Sequence, residues 1–137
     1  MARNLTAKQI KPTQLIVLDS SCWLEFLMGT ERADLFASAI DAPADLRVPV
    51  ITVYEVIKKV RRELGDDIAS RAVVLMQRSP IIDIDLPLTM TALTNGLPVA
   101  DSLIYATAQS IGAVVWTQDQ HFAGLPNVKY FEKSTTA

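Results

Sequence analysis

The 137-residue sequence contains a single cysteine and a single histidine, and it has no surplus of positive charge. With Cys22 alone, no disulfide can form within these residues, and a reducing compartment is the natural expectation. No apolar run approaches the ~20 residues that a membrane-spanning helix needs. Met1 to Lys11 interleaves polar and charged side chains and does not read as a signal peptide. A soluble, cytoplasmic protein without membrane association is therefore expected. Thirteen Lys and Arg against fifteen Asp and Glu give a formal net charge of −2. Bulk charge does not draw such a chain to nucleic acid, so a nonspecific nucleic-acid binder is disfavoured. A metal-dependent enzyme acting on phosphate stays open, because a divalent cation neutralises phosphate locally.

Half of the residues are apolar and a fifth are charged, the composition of an ordinary folded globular protein. The length fits one domain with its own core. Residues 1–14 read as an N-terminal extension and 15–137 as that domain.

Leu15-Ile16-Val17-Leu18 is continuously apolar and rich in branched side chains, the pattern of a strand buried on both faces. Asp19, Ser20 and Ser21 are helix-capping residue types, and Trp23, Leu24, Phe26 and Leu27 follow at helical spacing. A second helix is expected over Glu31 to Ile40, with Leu35, Phe36, Ala39 and Ile40 turned inward. Val48 to Thr52 reads as a strand despite Pro49. The stripe Val53, Val56, Ile57, Val60 and Leu64 marks a helix stopped by Gly65. Asp66 or Asp67 then caps a helix carrying Ile68, Ala72, Leu75 and Met76 on one face. Ile81 to Ile84 is a short strand, Pro87 to Thr94 a short helix, and Pro98 opens a helix that Gly112 ends. Ala113 to Trp116 and Val128 to Phe131 complete the strands. This alternation predicts an α/β fold with a parallel sheet covered on both faces. In open sheets of that kind ligands bind outside the carboxyl ends of the strands.

Four acids fall near such ends. Asp19 follows the first strand, Asp119 lies just past Trp116-Thr117, and Glu55 and Asp101 sit near the starts of two helices. Hard divalent cations prefer oxygen ligands and are commonly held by a few carboxylates. Such an ion activates water and offsets charge developing on phosphate. Each acid also has an ordinary structural reading: Asp19 as a helix cap, Asp119 as a turn former, Glu55 and Asp101 as first-turn acids favoured by the helix dipole. Position alone leaves these alternatives open.

The segments VLDSSCWLEFL, TVYEVIKK and GLPVADSLIYATAQSIGAVVWTQDQHF resemble the PIN domain family, and within it the VapC-like toxin ribonucleases of toxin–antitoxin pairs. The resemblance spans about residues 15 to 131, in order. It implies a three-layer α/β/α fold with a central parallel sheet of about five strands. It also implies a Mg2+- or Mn2+-dependent endoribonuclease, a homodimer, and a cognate antitoxin whose carboxyl-terminal segment covers the active-site groove. Under this reading Asp19, Asp101 and Asp119 contact the metal directly or through water. Glu55 is a further ligand or the acid that orients the attacking water. Ser21 and Thr117 hydrogen-bond to a ligand carboxylate, a water on the ion or a phosphate oxygen. Many relatives carry another acid two residues after the one matching Asp119, where this chain has His121. That puts a fifth carboxylate in doubt and leaves the four-acid set intact.

Lys58, Lys59, Arg61 and Arg62 form the one dense basic run. They read either as contacts to RNA phosphates or an antitoxin, or as a solvated helix face around Val60. Trp23 and Phe26 are expected in the core or a dimer interface, and Cys22 as a small buried filler. A phosphoacceptor receiver domain is disfavoured, since Asp19 is followed by serines and Lys129 lies inside a strand. The functional alternative is a noncatalytic PIN-like module that only binds RNA or a partner protein.

Overall fold

The computed structural model describes residues 14–133. The expected N-terminal extension, apart from Gln14, lies outside them. Among the described residues five strands alternate with six helices: β1 (Ile16–Leu18), α1 (Ser20–Leu27), α2 (Ala33–Ile40), β2 (Val48–Pro49), α3 (Val50–Leu64), α4 (Asp66–Met76), β3 (Ile81–Ile82), α5 (Leu86–Ala92), α6 (Val99–Ile111), β4 (Val114–Thr117) and β5 (Val128–Tyr130). A 3-10 turn at Gln120–Phe122 follows β4.

Every ladder is parallel. β4 lies between β1 and β5, with Leu18 opposite Trp116 and Thr117 opposite Tyr130. β2 pairs with β3 in a second, two-stranded ladder. The Ile16 N–H donates to the Asp45 carbonyl at 2.8 Å and the Ile16 carbonyl accepts from Arg47 N–H at 2.9 Å, so a bridge from Ile16 to Leu46 joins the two ladders. The lateral order is therefore β3-β2-β1-β4-β5. The chain leaves β1 toward β2 on one side and returns to β4 on the other, which makes the carboxyl ends of β1 and β4 the switch point where a crevice opens.

Burial on both faces explains the unbroken apolar run of β1. Val17 packs with Ile104, Tyr105 and Ala108 of α6 and with Val115 and Phe122. Ile16 and Leu18 point the other way, into the larger cluster of Cys22, Trp23, Phe36, Ile40, Val56, Val60 and Met76. Helices α1 to α4 thus cover one face and α6 the other, with α5 packed on α6, giving three layers. Cys22 and Trp23 are buried there as expected, and Phe26 packs against them half-buried.

Local differences from the sequence pattern have physical causes. The expected strand Val48–Thr52 is only Val48–Pro49, because Pro49 has no N–H to carry the ladder on and adopts φ −60°, ψ 137° as the cap from which α3 starts. Thr52 consequently lies in the first turn of α3, fully buried. The β3 strand likewise ends at Ile82 rather than Ile84. Leu35, expected inward, is exposed: Phe36, Ala39 and Ile40 set the buried stripe of α2, and Leu35 lies one residue, about 100°, off it. Leu64 and Ile68 are exposed because residues 61–68 turn outside the packed layer. That turn is closed by Gly65 at φ +89°, which ends α3 and itself caps α4, the position expected of Asp66 or Asp67.

Candidate metal centre

Asp19 occupies the step from β1 to α1. Its N–H donates to the Trp116 carbonyl at 2.9 Å, continuing the β1–β4 ladder, and its Oδ1 accepts from Ser20 N–H at 2.6 Å as the cap of α1. Its Oδ2 accepts from Thr117 Oγ1 at 2.8 Å and from Ser21 Oγ at 3.3 Å. Only 4% of this residue is exposed. Burial is the largest influence and lifts the carboxyl from 3.8 to about 6; the Thr117 and Ser20 donors oppose the rise, while the charges of Asp101 and Asp119 add to it.

Asp119 follows β4 and caps the 3-10 turn, accepting from His121 N–H at 2.9 Å. Its own N–H donates to Thr117 Oγ1 at 2.9 Å, so one hydroxyl ties both strand-end acids together. Asp101 stands in the first turn of α6, where the helix dipole favours a negative charge. Burial raises the Asp101 carboxyl; the His121 hydrogen bond opposes this, and the charges of Asp119 and Glu55 reinforce it. Glu55, half-buried in α3, accepts from Ser20 Oγ at 2.6 Å. The ordinary readings of Asp19, Asp101 and Asp119 as cap, first-turn acid and turn former are thus correct, and the same placements bring these carboxylates together; Glu55 is not a first-turn acid, because α3 already starts at Val50.

Asp101, Asp119 and His121 each offer a ligand atom, all within 4.8 Å of one another. His121 Nδ1 lies 3.0 Å from Asp101 Oδ2 and 3.2 Å from Asp119 Oδ1. Asp19 and Glu55 stand outside this trio, held by Thr117 and Ser20. Hydrogen bonding to Asp101 is the main reason the exposed His121 ring titrates above its ordinary value. The mutual repulsion recorded in Asp19 and Asp101 is what a divalent cation relieves, and a set dominated by carboxylate oxygens fits one. The cluster is therefore capable of coordinating a divalent metal.

Two members of this arrangement have other readings in the sequence, Ser20 as a helix-capping residue and His121 as standing where relatives carry a further acid. Ser20, rather than Ser21, is the hydroxyl that reaches across to the second helix acid, and its adjacency to Asp19 was the available signal. His121 sits in the middle of the cluster; its place two residues past Asp119 was the signal there. Three of the four residues of the basic run face elsewhere. Lys58, Arg61 and Arg62, with Val53, Tyr54, Ile57 and Val73, line a groove of about 870 Å³ between α3 and α4 that none of the four acids lines. Arg61 bonds Asp66 at 2.8 Å in this groove, whereas half-buried Lys59 does not line it and lies one helical turn after Glu55 on α3.

Among the described residues no helix is long and apolar enough to cross a membrane. No curated protein matches the chain. Solved structures do. A toxin–antitoxin complex from Klebsiella pneumoniae is 22% identical, with a TM-score of 0.72 over 83% of this chain and 95% of that one. The sarcin-ricin loop cleaving toxin VapC20 of Mycobacterium tuberculosis is 16% identical, with a TM-score of 0.68 over 82% and 96%. The DNA-bound VapBC of Salmonella typhimurium is 18% identical, with a TM-score of 0.64 over 86% and 97%. At these identities the likeness is one of fold, an α/β/α sandwich shared with VapC-type toxins. The PIN domain model itself matches residues 16–127, well over half of the sequence, and the chain belongs to the PIN domain family.

Proposed function

We propose that this chain is a metal-dependent endoribonuclease, the toxin of a toxin–antitoxin pair. The observation that carries the reading is the convergence of Asp101, Asp119 and His121 beside buried Asp19 at the β1–β4 switch point. When bound there, Mg2+ or Mn2+ supplies charge to offset that developing on the phosphate oxygens. Asp19, Asp101 and Asp119 hold the ion. Thr117 and Ser21 keep the Asp19 carboxylate oriented, and Ser20 Oγ fixes Glu55, which orients the attacking water or gives the ion another oxygen. Intact acids favour this enzyme over a noncatalytic module that only binds RNA or protein.

The relatives' names support the partners. One is a toxin–antitoxin complex, one is a sarcin-ricin loop cleaving toxin, and two are VapBC proteins bound to DNA. Besides the segment expected over the active-site groove, the antitoxin has a further candidate contact in the α3–α4 groove, where apolar Val53, Ile57 and Val73 and basic Lys58, Arg61 and Arg62 line the same surface as Asp66. A homodimer acting in the cytoplasm completes the reading. Incubating purified protein with total cellular RNA, with and without Mg2+ or Mn2+, and mapping new ends tests it. Reproducible metal-dependent ends are expected; intact RNA in both metals would overturn it.

A further inference from the structure

We propose that His121 Nδ1 is itself a metal ligand, and that this nitrogen donor biases the centre toward transition-metal cations such as Mn2+ over Mg2+. The inference rests on the site being the metal centre described above and concerns which ion it takes. Nδ1 stands 3.0 Å from Asp101 Oδ2 and 3.2 Å from Asp119 Oδ1. Adjacent donors around an octahedral ion with bonds of about 2.1 Å are separated by about 3.0 Å, so the two gaps have the length of ligand-to-ligand edges. The same spacing serves an N–H···O hydrogen bond, and the ring therefore needs no rearrangement to exchange that contact for an ion. The backbone helps: His121 N–H is bonded to Asp119 Oδ1 at 2.9 Å, which fixes the 3-10 turn and sets ring and carboxylate on the same side. The side chain is 57% exposed, so Nε2 can keep the ring proton while Nδ1 offers its lone pair.

Donor chemistry sets the consequence. Magnesium and manganese both accept carboxylate and water, and imidazole suits iron, nickel, copper and zinc best. A nitrogen donor costs magnesium more than manganese, which stands at the start of the first-row stability series that rises toward copper. Among the described residues His121 is the one imidazole in the cluster.

His121 is the only histidine of the sequence, so any imidazole signal from an untagged preparation has one source. Pulsed EPR of bound Mn2+ should show histidine-nitrogen coupling in the unaltered protein, and His121→Asp should abolish it while still binding the ion through oxygen. Competition between Mg2+ and Mn2+ should show the preference for Mn2+ falling in H121D, because an oxygen replaces the one nitrogen donor. H121Q provides an independent check on the spectrum should H121D fold poorly. Mn2+ bound without nitrogen coupling, at equal preference in H121D, would overturn the inference and leave the carboxylate centre standing. Failure of the unaltered protein to bind either ion would overturn both.

Discussion

Thr117 donates its hydroxyl to Asp19 at 2.8 Å across the β1–β4 boundary, between residues 98 positions apart in the chain. The same oxygen receives the Asp119 N–H at 2.9 Å, so a single side chain orients both strand-end acids. Because this donor holds the Asp19 carboxyl down against burial, Thr117→Val should push it above about 6. Proton and metal compete for that carboxylate, so divalent-ion affinity in T117V should fall by roughly 10- to 100-fold near neutral pH, with the midpoint of its pH dependence displaced upward. Calorimetric titration with Mn2+ across pH checks this, with T117S expected to stay close to the parent.

Asp19 should also make the ion-free protein less stable as pH rises. Its carboxyl ionises at 3.8 ordinarily and at about 6 when folded. Between those values the folded state keeps a proton that the unfolded state has lost, so the stability present below about pH 4 is lost as pH climbs through 6. The shift corresponds to about 3 kcal/mol. In the presence of a chelator, D19N should therefore be more resistant to urea than the parent near pH 7.5, by on the order of 2 kcal/mol, with the gap closing toward pH 4. An unchanged gap across that range would contradict the raised carboxyl.

Ser20→Ala should loosen Glu55 by removing its 2.6 Å hydroxyl donor. RNA cleavage is expected to drop roughly 10- to 100-fold while circular dichroism stays unchanged. Activity equal to the parent would show that Glu55 needs no such support.

Thr52 is fully buried and its hydroxyl finds no hydrogen-bond partner among the described residues. The near-isosteric Thr52→Val removes that unpaired group, and thermal unfolding should shift upward by the equivalent of about 1 kcal/mol.

Neutralising Lys58 and Arg62 should leave the slope of log RNA affinity against log salt unchanged, because the groove they line lies apart from the acids. A decrease approaching two in that slope would place RNA phosphates in the groove.

Much of this was legible in the chain, for identifiable reasons. The run before Asp19 declares a strand buried on both faces, and Pro98 and Gly112 bracket α6 because one fixes φ at a helix start and the other accepts φ +66° at its end. The early start of α3 was hidden by Ile51 and Thr52, β-branched residues whose strand preference yields to the backbone set by Pro49. The pairing of Ser20 with Glu55 depends on which of two adjacent hydroxyls the first turn of α1 rotates toward α3. The meeting of His121 with Asp101 depends on how a 3-10 turn after β4 faces the start of α6. Neither relationship has a periodicity to read; both arise only when separate elements dock.

The central claim, that carboxylate-held metal at this crevice cuts RNA, is tested most directly by comparing Asp101→Asn with the parent on total cellular RNA in Mg2+ or Mn2+, after confirming that the variant keeps its fold. The expected result is a set of metal-dependent cuts in the parent that disappears in D101N. Undiminished cutting by folded D101N, or the same cuts in the presence of a chelator, would contradict it.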